Sequence, residues 1–133
     1  MLEFVNRPLI ENKGRLLSLK CQIKSNQREI ERLEKRIKEI PEEIEFLKKL
    51  LKTTDERTQE YINDNGYDDF SNKMIDASCR RGANITCLEE DLKNFPEFIK
   101  NIKAELFDLE KEYKKEKLKE KVYSFIGSSF PLR

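Results

Sequence analysis

The sequence predicts an all-α protein, a long antiparallel coiled-coil helical hairpin whose helices are kinked at Pro41 and Pro96 and joined by a small helical tip. Two distant stretches carry heptad repeats of apolar residues. Charged residues make up 40% of the chain, against about a quarter in soluble domains, and only four glycines and four prolines interrupt it. Thin helical proteins have the large surface relative to core that this composition needs. The 133 residues suffice for one domain.

The first repeat covers residues 9–51 and keeps one phase throughout. Position a is apolar in seven consecutive heptads, a regularity that predicts a buried coiled-coil seam. Pro41 lies inside the repeat without shifting it, so we interpret one kinked helix that lacks one backbone hydrogen bond. A break at Pro41 is the alternative. The a residues are Leu9, Leu16, Ile23, Ile30, Ile37, Ile44 and Leu51, and the d residues are Asn12, Leu19, Asn26, Leu33, Ile40 and Leu47.

The second repeat predicts the returning helix and a register. Antiparallel helices pair a layers with d layers, and pairing residues whose numbers sum to 139 gives seven layers that are apolar on both sides. The next layer places Asn26 opposite Tyr113, where a hydrogen bond would fix the register. The second seam consists of Ile85, Leu92, Ile99, Leu106 and Tyr113 at a, and Leu88, Phe95, Ile102 and Leu109 at d.

Turn and capping signals divide the chain into stalk arms (8–52 and 86–124), a helical tip (53–85) and a terminal apolar cluster (1–8 and 122–133). Thr53 and Thr86 each precede a glutamate by three residues, as in a capping box, so both predict helix starts. Gly66 and Gly82 predict helix ends, and Ser71 predicts the cap of a short helix between them. The lysine-rich segment 114–121 is interpreted as a solvated face.

Two groups of residues are candidate interaction sites. Apolar residues near both chain ends lie outside the heptads and indicate either a small cluster or a docking surface. Basic and aromatic residues of the tip suggest a patch for nucleic acid, although nearby aspartates cancel much of its charge. The first group is Phe4, Val5, Tyr123, Phe125, Ile126 and Phe130, and the second is Tyr61, Tyr67, Phe70, Lys73, Arg80 and Arg81.

The chain lacks the residue patterns of common enzymes, so we expect no catalytic, metal or cofactor site. It contains no histidine, which removes the commonest general base and metal ligand. Cys79 and Cys87 have no further ligands beside them, and no glycine-rich phosphate loop is present. The acidic segment 63–69 lacks the glycine and the distal glutamate of a calcium loop.

Charge and cysteine content predict a cytoplasmic protein that does not associate with membranes. The net charge of +1 favours neither nucleic acid nor anionic lipid. No apolar run reaches the roughly 20 residues of a membrane span, and the amino-terminal residues do not resemble a secretory signal. Three cysteines without a CxxC motif indicate free thiols.

The function expected from these patterns is protein–protein interaction, as a coiled-coil adaptor, scaffold or stalk protein. A virus- or phage-encoded antagonist of a host protein is a close variant. The chain is rich in Lys, Ile, Asn and Glu, a composition that an AT-rich genome such as that of a virus or phage tends to encode. A nucleic-acid-binding helical protein is the alternative. The seam buries few side chains for the residues it orders, which predicts a homodimer or a hetero-complex. No motif identifies a family, and only the shape resembles that of helical-hairpin stalk proteins of export ATPases.

Overall fold

A computed structural model of the chain describes residues 6–129, with side chains described for residues 6–125. It contains two α-helices that pack against each other, α1 (Arg7–Asn65) and α2 (Asp69–Ser129), and no strand among the described residues. Both helices continue through their prolines, so neither Pro41 nor Pro96 breaks its helix. The all-α helical hairpin predicted from the sequence is therefore confirmed.

The chain divides into two compact units. We call the part formed by residues 6–31 and 100–129 the first unit and residues 32–99 the second unit. Ile40, Ile44 and Ile85 form the buried core of the second unit, and Ile40 is completely inaccessible to solvent. Five half-buried side chains pack against this core: Leu47, Leu51, Leu88, Leu92 and Phe95.

The buried hydrophobic residues occupy the predicted seam. Every one of them among the described residues falls at an a or d position of the two heptad repeats. A period of seven in the sequence thus identified the inward face of both helices correctly. These residues are Leu16, Leu19, Ile30, Leu33, Ile40, Ile44, Ile85, Ile99 and Leu109.

The turn between the helices comprises only Gly66, Tyr67 and Asp68. Gly66 ends α1 with a left-handed φ of 73°, and its backbone N–H donates to the Ile62 carbonyl at 2.7 Å. Asp68 and Ser71 then cap α2 reciprocally. The Ser71 N–H donates to Asp68 Oδ1 and the Asp68 N–H donates to Ser71 Oγ, each at 2.8 Å.

The separate helical tip over residues 53–85 is not present, because both helices run uninterrupted to the short turn. Thr53 and Thr86 lie inside helices, where each hydroxyl donates to the carbonyl four residues earlier instead of capping a new helix. Gly82 lies inside α2, and Ser71 supports the start of α2, which Asp68 caps. Of the predicted helix ends in this region, only Gly66 is correct.

The predicted register does not hold in the first unit. Asn12 bonds Glu116, and these residue numbers sum to 128 rather than 139. No hydrogen bond joins Asn26 to Tyr113, and Asn26 Nδ2 is buried without a partner. In the second unit Arg81 donates a hydrogen bond to Thr54, and these residue numbers sum to 135. The turn is centred on Tyr67, so residues that face each other beside it have numbers that sum to twice 67, or 134, which is below the predicted 139.

Two glycine-to-alanine variants are expected to have opposite effects on stability. Gly66→Ala forces an alanine into the left-handed region and should lower the free energy of unfolding by about 1–2 kcal/mol. Gly82→Ala should raise it by about 0.5–1 kcal/mol, because a Cβ there meets nothing within 4 Å and alanine favours the helix. Urea unfolding followed by circular dichroism measures both. Equal effects of the same sign would contradict the short turn at Gly66.

Candidate functional site

The net charge of +1 conceals two oppositely charged units. The first unit contains 14 basic and 9 acidic residues, a net charge of +5. The second unit contains 12 basic and 16 acidic residues, a net charge of −4. Basic and acidic residues alternate along most of the sequence, and the average over the whole chain hides this separation. Each unit therefore has its own electrostatic preference for partners.

One exposed face of α2 in the first unit combines lysines with large apolar side chains, and we call it the cationic face. Its members recur at the three- and four-residue spacing that places side chains on one side of a helix. Of the six acids in this stretch, only Glu110 lies at the edge of the face. The others lie on a different side of the helix: Glu105, Asp108, Glu112, Glu116 and Glu120. The cationic face consists of Lys100, Lys103, Phe107, Lys111, Lys114, Leu118, Lys121, Val122 and Phe125.

The apolar side chains of the cationic face are largely exposed. Leu118 is 62% exposed, Val122 is 54% exposed, and Phe107 is 58% exposed although Lys111 Nζ lies 4.5 Å from its ring centroid. The seam of the same stretch contains the buried Leu109 and Glu116 instead. The face is thus not part of the core of the first unit, and it presents apolar surface framed by positive charge.

A buried polar pair joins the two helices of the first unit. Asn12 is completely buried, and its Nδ2 donates to the Glu116 carbonyl at 2.9 Å and to Glu116 Oε2 at 2.6 Å. Arg15 Nε donates to the same carboxylate oxygen at 3.2 Å, and Lys119 Nζ donates to Oε1 at 3.2 Å. Since Asn12 and Glu116 occupy seam positions, the pair replaces an apolar layer with a specific polar contact.

The surroundings of Glu116 keep its carboxyl group ionised. Burial alone would raise its pKa, but hydrogen bonds from Asn12, Lys119 and Arg15 outweigh burial and lower the pKa below its usual 4.5. A shallow cavity of about 380 Å³ lies beside it. Its lining carries charges of both signs and no nucleophile with a partnering base: Arg15, Ser18, Leu19, Gln22, Glu112, Lys115, Glu116 and Lys119.

The lowered pKa of Glu116 predicts a contribution to acid stability. A carboxyl group whose pKa is lower in the folded chain stabilises the fold above its unfolded pKa, 4.5, and loses this effect as pH falls through the folded value. As the pH is lowered from 5, the free energy of unfolding should therefore fall less for Glu116→Gln than for the native chain. Urea midpoints measured across this range test the prediction, and parallel pH profiles would refute it.

The turn presents a second exposed surface, the aromatic tip, formed by Tyr61, Tyr67 and Phe70. The Tyr61 and Phe70 rings meet edge to face with centroids 4.9 Å apart, while Tyr67 is 77% exposed and Phe70 is 55% exposed. The Tyr61 hydroxyl donates to Asp68 Oδ2 at 2.6 Å. This bond, together with the Ser71 N–H, lowers the pKa of the Asp68 carboxyl group, which therefore stays ionised.

The structure separates the basic and aromatic residues of the predicted tip patch. Arg81 bonds Thr54 and follows Phe70 by eleven residues, about 16 Å along the helix, and Arg80 precedes it directly. Of the basic residues in that patch, only Lys73 lies within a turn of the aromatic side chains. Residues 60–73 carry four acids and one lysine, a net charge of −3, so the aromatic tip is acidic.

The predicted terminal interface is only partly described. Tyr123 is half-buried, and its carbonyl accepts a 3.3 Å hydrogen bond from Asn6 Nδ2. Phe125 is 72% exposed and belongs to the cationic face. The side chains of Phe4, Val5, Ile126 and Phe130 lie outside the described residues.

Sequence reasoning missed the Asn12–Glu116 pair and the cationic face. Both have a sequence signal, since the pair occupies d positions of the two repeats and the face appears when the outward positions of α2 are plotted on a helical wheel. The segment 114–121 was interpreted as a solvated face, yet Glu116 within it is buried. The heptad position of a polar residue therefore predicted its burial better than the number of charged residues around it.

The remaining chemistry and the comparisons with known proteins assign no activity. Across residues 6–129 no three metal-ligating side chains come together, and the three cysteines are exposed and unpaired. Neither helix, as far as it is described, contains a segment long and apolar enough to cross a membrane. No protein-family model, curated protein or solved structure is significantly similar to this chain.

Proposed function

We propose that this chain is a non-enzymatic protein-interaction module, a coiled-coil adaptor or scaffold that binds another protein through the cationic face. The observation that carries the proposal is the row of exposed apolar side chains on that face, including Phe107, Leu118 and Val122. The seam of the first unit does not use them. Leu118 and Val122 lie one helical turn apart, and exposed apolar surface of this kind is typical of binding sites.

The composition of the cationic face suits a protein partner. Lysines can lay their aliphatic stems along apolar surface while their ammonium groups stay in water, which gives a polar rim around an apolar centre. Burying Leu118, Val122 and Phe107 against a partner would supply about 1.5–3 kcal/mol for each fully buried side chain. The lysines would favour a partner with acidic groups around its apolar contact.

The proposal is tested with a double variant on the face and a matched variant elsewhere. Leu118→Asp/Val122→Asp should abolish retention of a protein partner by the immobilised chain, whether that partner is a protein of the host cell or a further copy of the chain. Phe46→Asp, at a residue of the second unit that is 65% exposed, should retain it. Circular dichroism checks that all three chains are folded. Retention of the same proteins by every chain would refute the proposal.

Nucleic-acid binding is the second candidate, and one observation favours it at a different place from the one predicted. The lysines of the cationic face, with Phe107 among them, resemble the charged and aromatic surfaces that bind single strands. Such binding should weaken steeply with salt and be lost in Lys111→Glu/Lys114→Glu. Oligonucleotide binding that is independent of salt, or unchanged in this variant, would exclude the face as a nucleic-acid site.

A further inference from the structure

We propose that the partner of the cationic face is a second copy of this chain, which contributes its acidic aromatic tip. The inference rests on the proposed function and adds the identity of the partner. Each copy carries one cationic face in the first unit and one aromatic tip in the second unit. The tip of one copy can therefore bind the face of another copy.

Charge complementarity is the first argument. The cationic face carries five lysines and one acid at its edge, Glu110, while residues 60–73 carry a net charge of −3. Asp68 remains ionised because its pKa is lowered, and Glu60 and Asp64 are exposed at the end of α1. Opposite surface charges on two copies steer their encounter and fix the orientation in which they bind.

The apolar side chains supply the second argument. The tip exposes Tyr67 and Phe70, and the face exposes Leu118 and Val122 beside its lysines. Aromatic rings are suited to such a surface, since their edges and faces pack on aliphatic side chains while lysine ammonium groups lie over the rings. Lys111 already lies over Phe107 within one chain, which shows that lysines of this face adopt such contacts.

Charge-reversal variants test the contact directly. The tip variant, Glu60→Lys/Asp64→Lys, keeps Asp68 and places positive charge at the carboxyl end of α1, where it suits the helix dipole. The face variant is Lys111→Glu/Lys114→Glu. The native chain should self-associate at about 10 µM in low salt and dissociate at high salt, as measured by sedimentation and light scattering. Each variant alone should associate at least tenfold more weakly.

Mixing the two variants provides the decisive measurement. In the mixture the native tip of the face variant meets the native face of the tip variant, so this contact regains its full charge complementarity. The reversed tip, with a net charge of +1 over residues 60–73, meets a reversed face whose charges sum to zero, so the other contact is no longer repulsive. The mixture should therefore associate more tightly than either variant alone. A matched control, Lys52→Glu/Lys93→Glu, changes the net charge as the face variant does at exposed positions outside both surfaces, and it should associate like the native chain.

Three outcomes would overturn the inference: a native chain that stays monomeric, association that the control weakens as much as the face variant does, or a mixture that fails to recover. Native chain that stays monomeric but binds phosphatidylcholine–phosphatidylserine vesicles or a single-stranded oligonucleotide through the face would assign a different occupant. The retention experiment with Leu118→Asp/Val122→Asp also detects proteins of the host cell, so it can support the face as a binding surface even when the chain does not self-associate. Failure of self-association therefore leaves the proposed function intact.

Discussion

Replacing Ile40 with alanine should lower the free energy of unfolding by about 2–5 kcal/mol, the largest loss expected from a single truncation in this chain. Ile40 is completely buried and lies in the core of the second unit with Ile44 and Ile85. Alanine removes the apolar contacts and leaves a cavity that helices in close contact cannot fully close. Alanine's higher helix propensity offsets only a few tenths of a kcal/mol. Urea unfolding at neutral pH gives the value.

Phe46→Ala is the matched control for this truncation. Phe46 lies in the same helix and unit but is 65% exposed, so its removal should change the free energy of unfolding by about 0.5 kcal/mol or less. Equal losses for Ile40→Ala and Phe46→Ala would show that Ile40 is not in the core. A larger loss for Phe46→Ala would mean that the exposed ring is covered in solution.

Replacing Asn12 with alanine should cost about 1–3 kcal/mol of stability, the second large effect. The variant removes a buried donor that bonds both the Glu116 carbonyl and the Glu116 carboxylate. In a double-mutant cycle with Glu116→Ala, the two losses should combine to less than their sum, because each variant removes the same contact. Additive losses would contradict direct coupling between Asn12 and Glu116.

Asn26→Ala separates the observed register from the predicted one. Asn26 Nδ2 is buried without a partner, so the alanine variant should be about as stable as the native chain or slightly more stable. A register fixed by Asn26 and Tyr113 would instead make this variant the more damaging of the two asparagine substitutions. The ratio of the losses at Asn12 and Asn26 thus identifies which polar residue aligns the helices.

The sequence was sufficient to identify the fold and the buried face because both depend on periodicity. Leu33 and Ile99 are buried, as their heptad positions predicted, because the apolar side of each helix packs against the other helix. The register was not accessible in the same way. Several alignments match apolar layers equally well, and the choice depended on one polar pair, Asn26 with Tyr113. The real pair, Asn12 with Glu116, lies where the apolar pattern had already weakened.

The tip was predicted wrongly because local signals compete with helix propagation. Threonine followed by glutamate three residues later indicates a helix start only where the backbone is already free to leave the helix. Inside α1, Thr53 forms the alternative bond to the Lys49 carbonyl, and the helix continues. Gly66 was identified correctly because the left-handed φ that ends α1 is unfavourable for most other residues, so a glycine at this point indicates the helix end.

The candidate surfaces were predictable only in part. Tyr61 and Phe70 were placed in one patch and do contact each other, since they flank the turn. The charge of each surface was not predicted, because the average over the chain hides the difference between +5 and −4. Computing charge separately for the two ends and the middle of the chain would have shown it without any structure.

The short turn at Gly66 has a consequence for the order in which the chain folds. Contacts between the helices begin with residues close in sequence, such as Thr54 and Arg81, which are 27 residues apart, and extend to Asn12 and Glu116, which are 104 residues apart. Closing the distant contacts first would cost more chain entropy. We therefore expect the helices to pair first beside the turn and then progressively toward the two chain ends. During folding, the amides near Ile85 should become protected from hydrogen exchange earlier than those near Leu16.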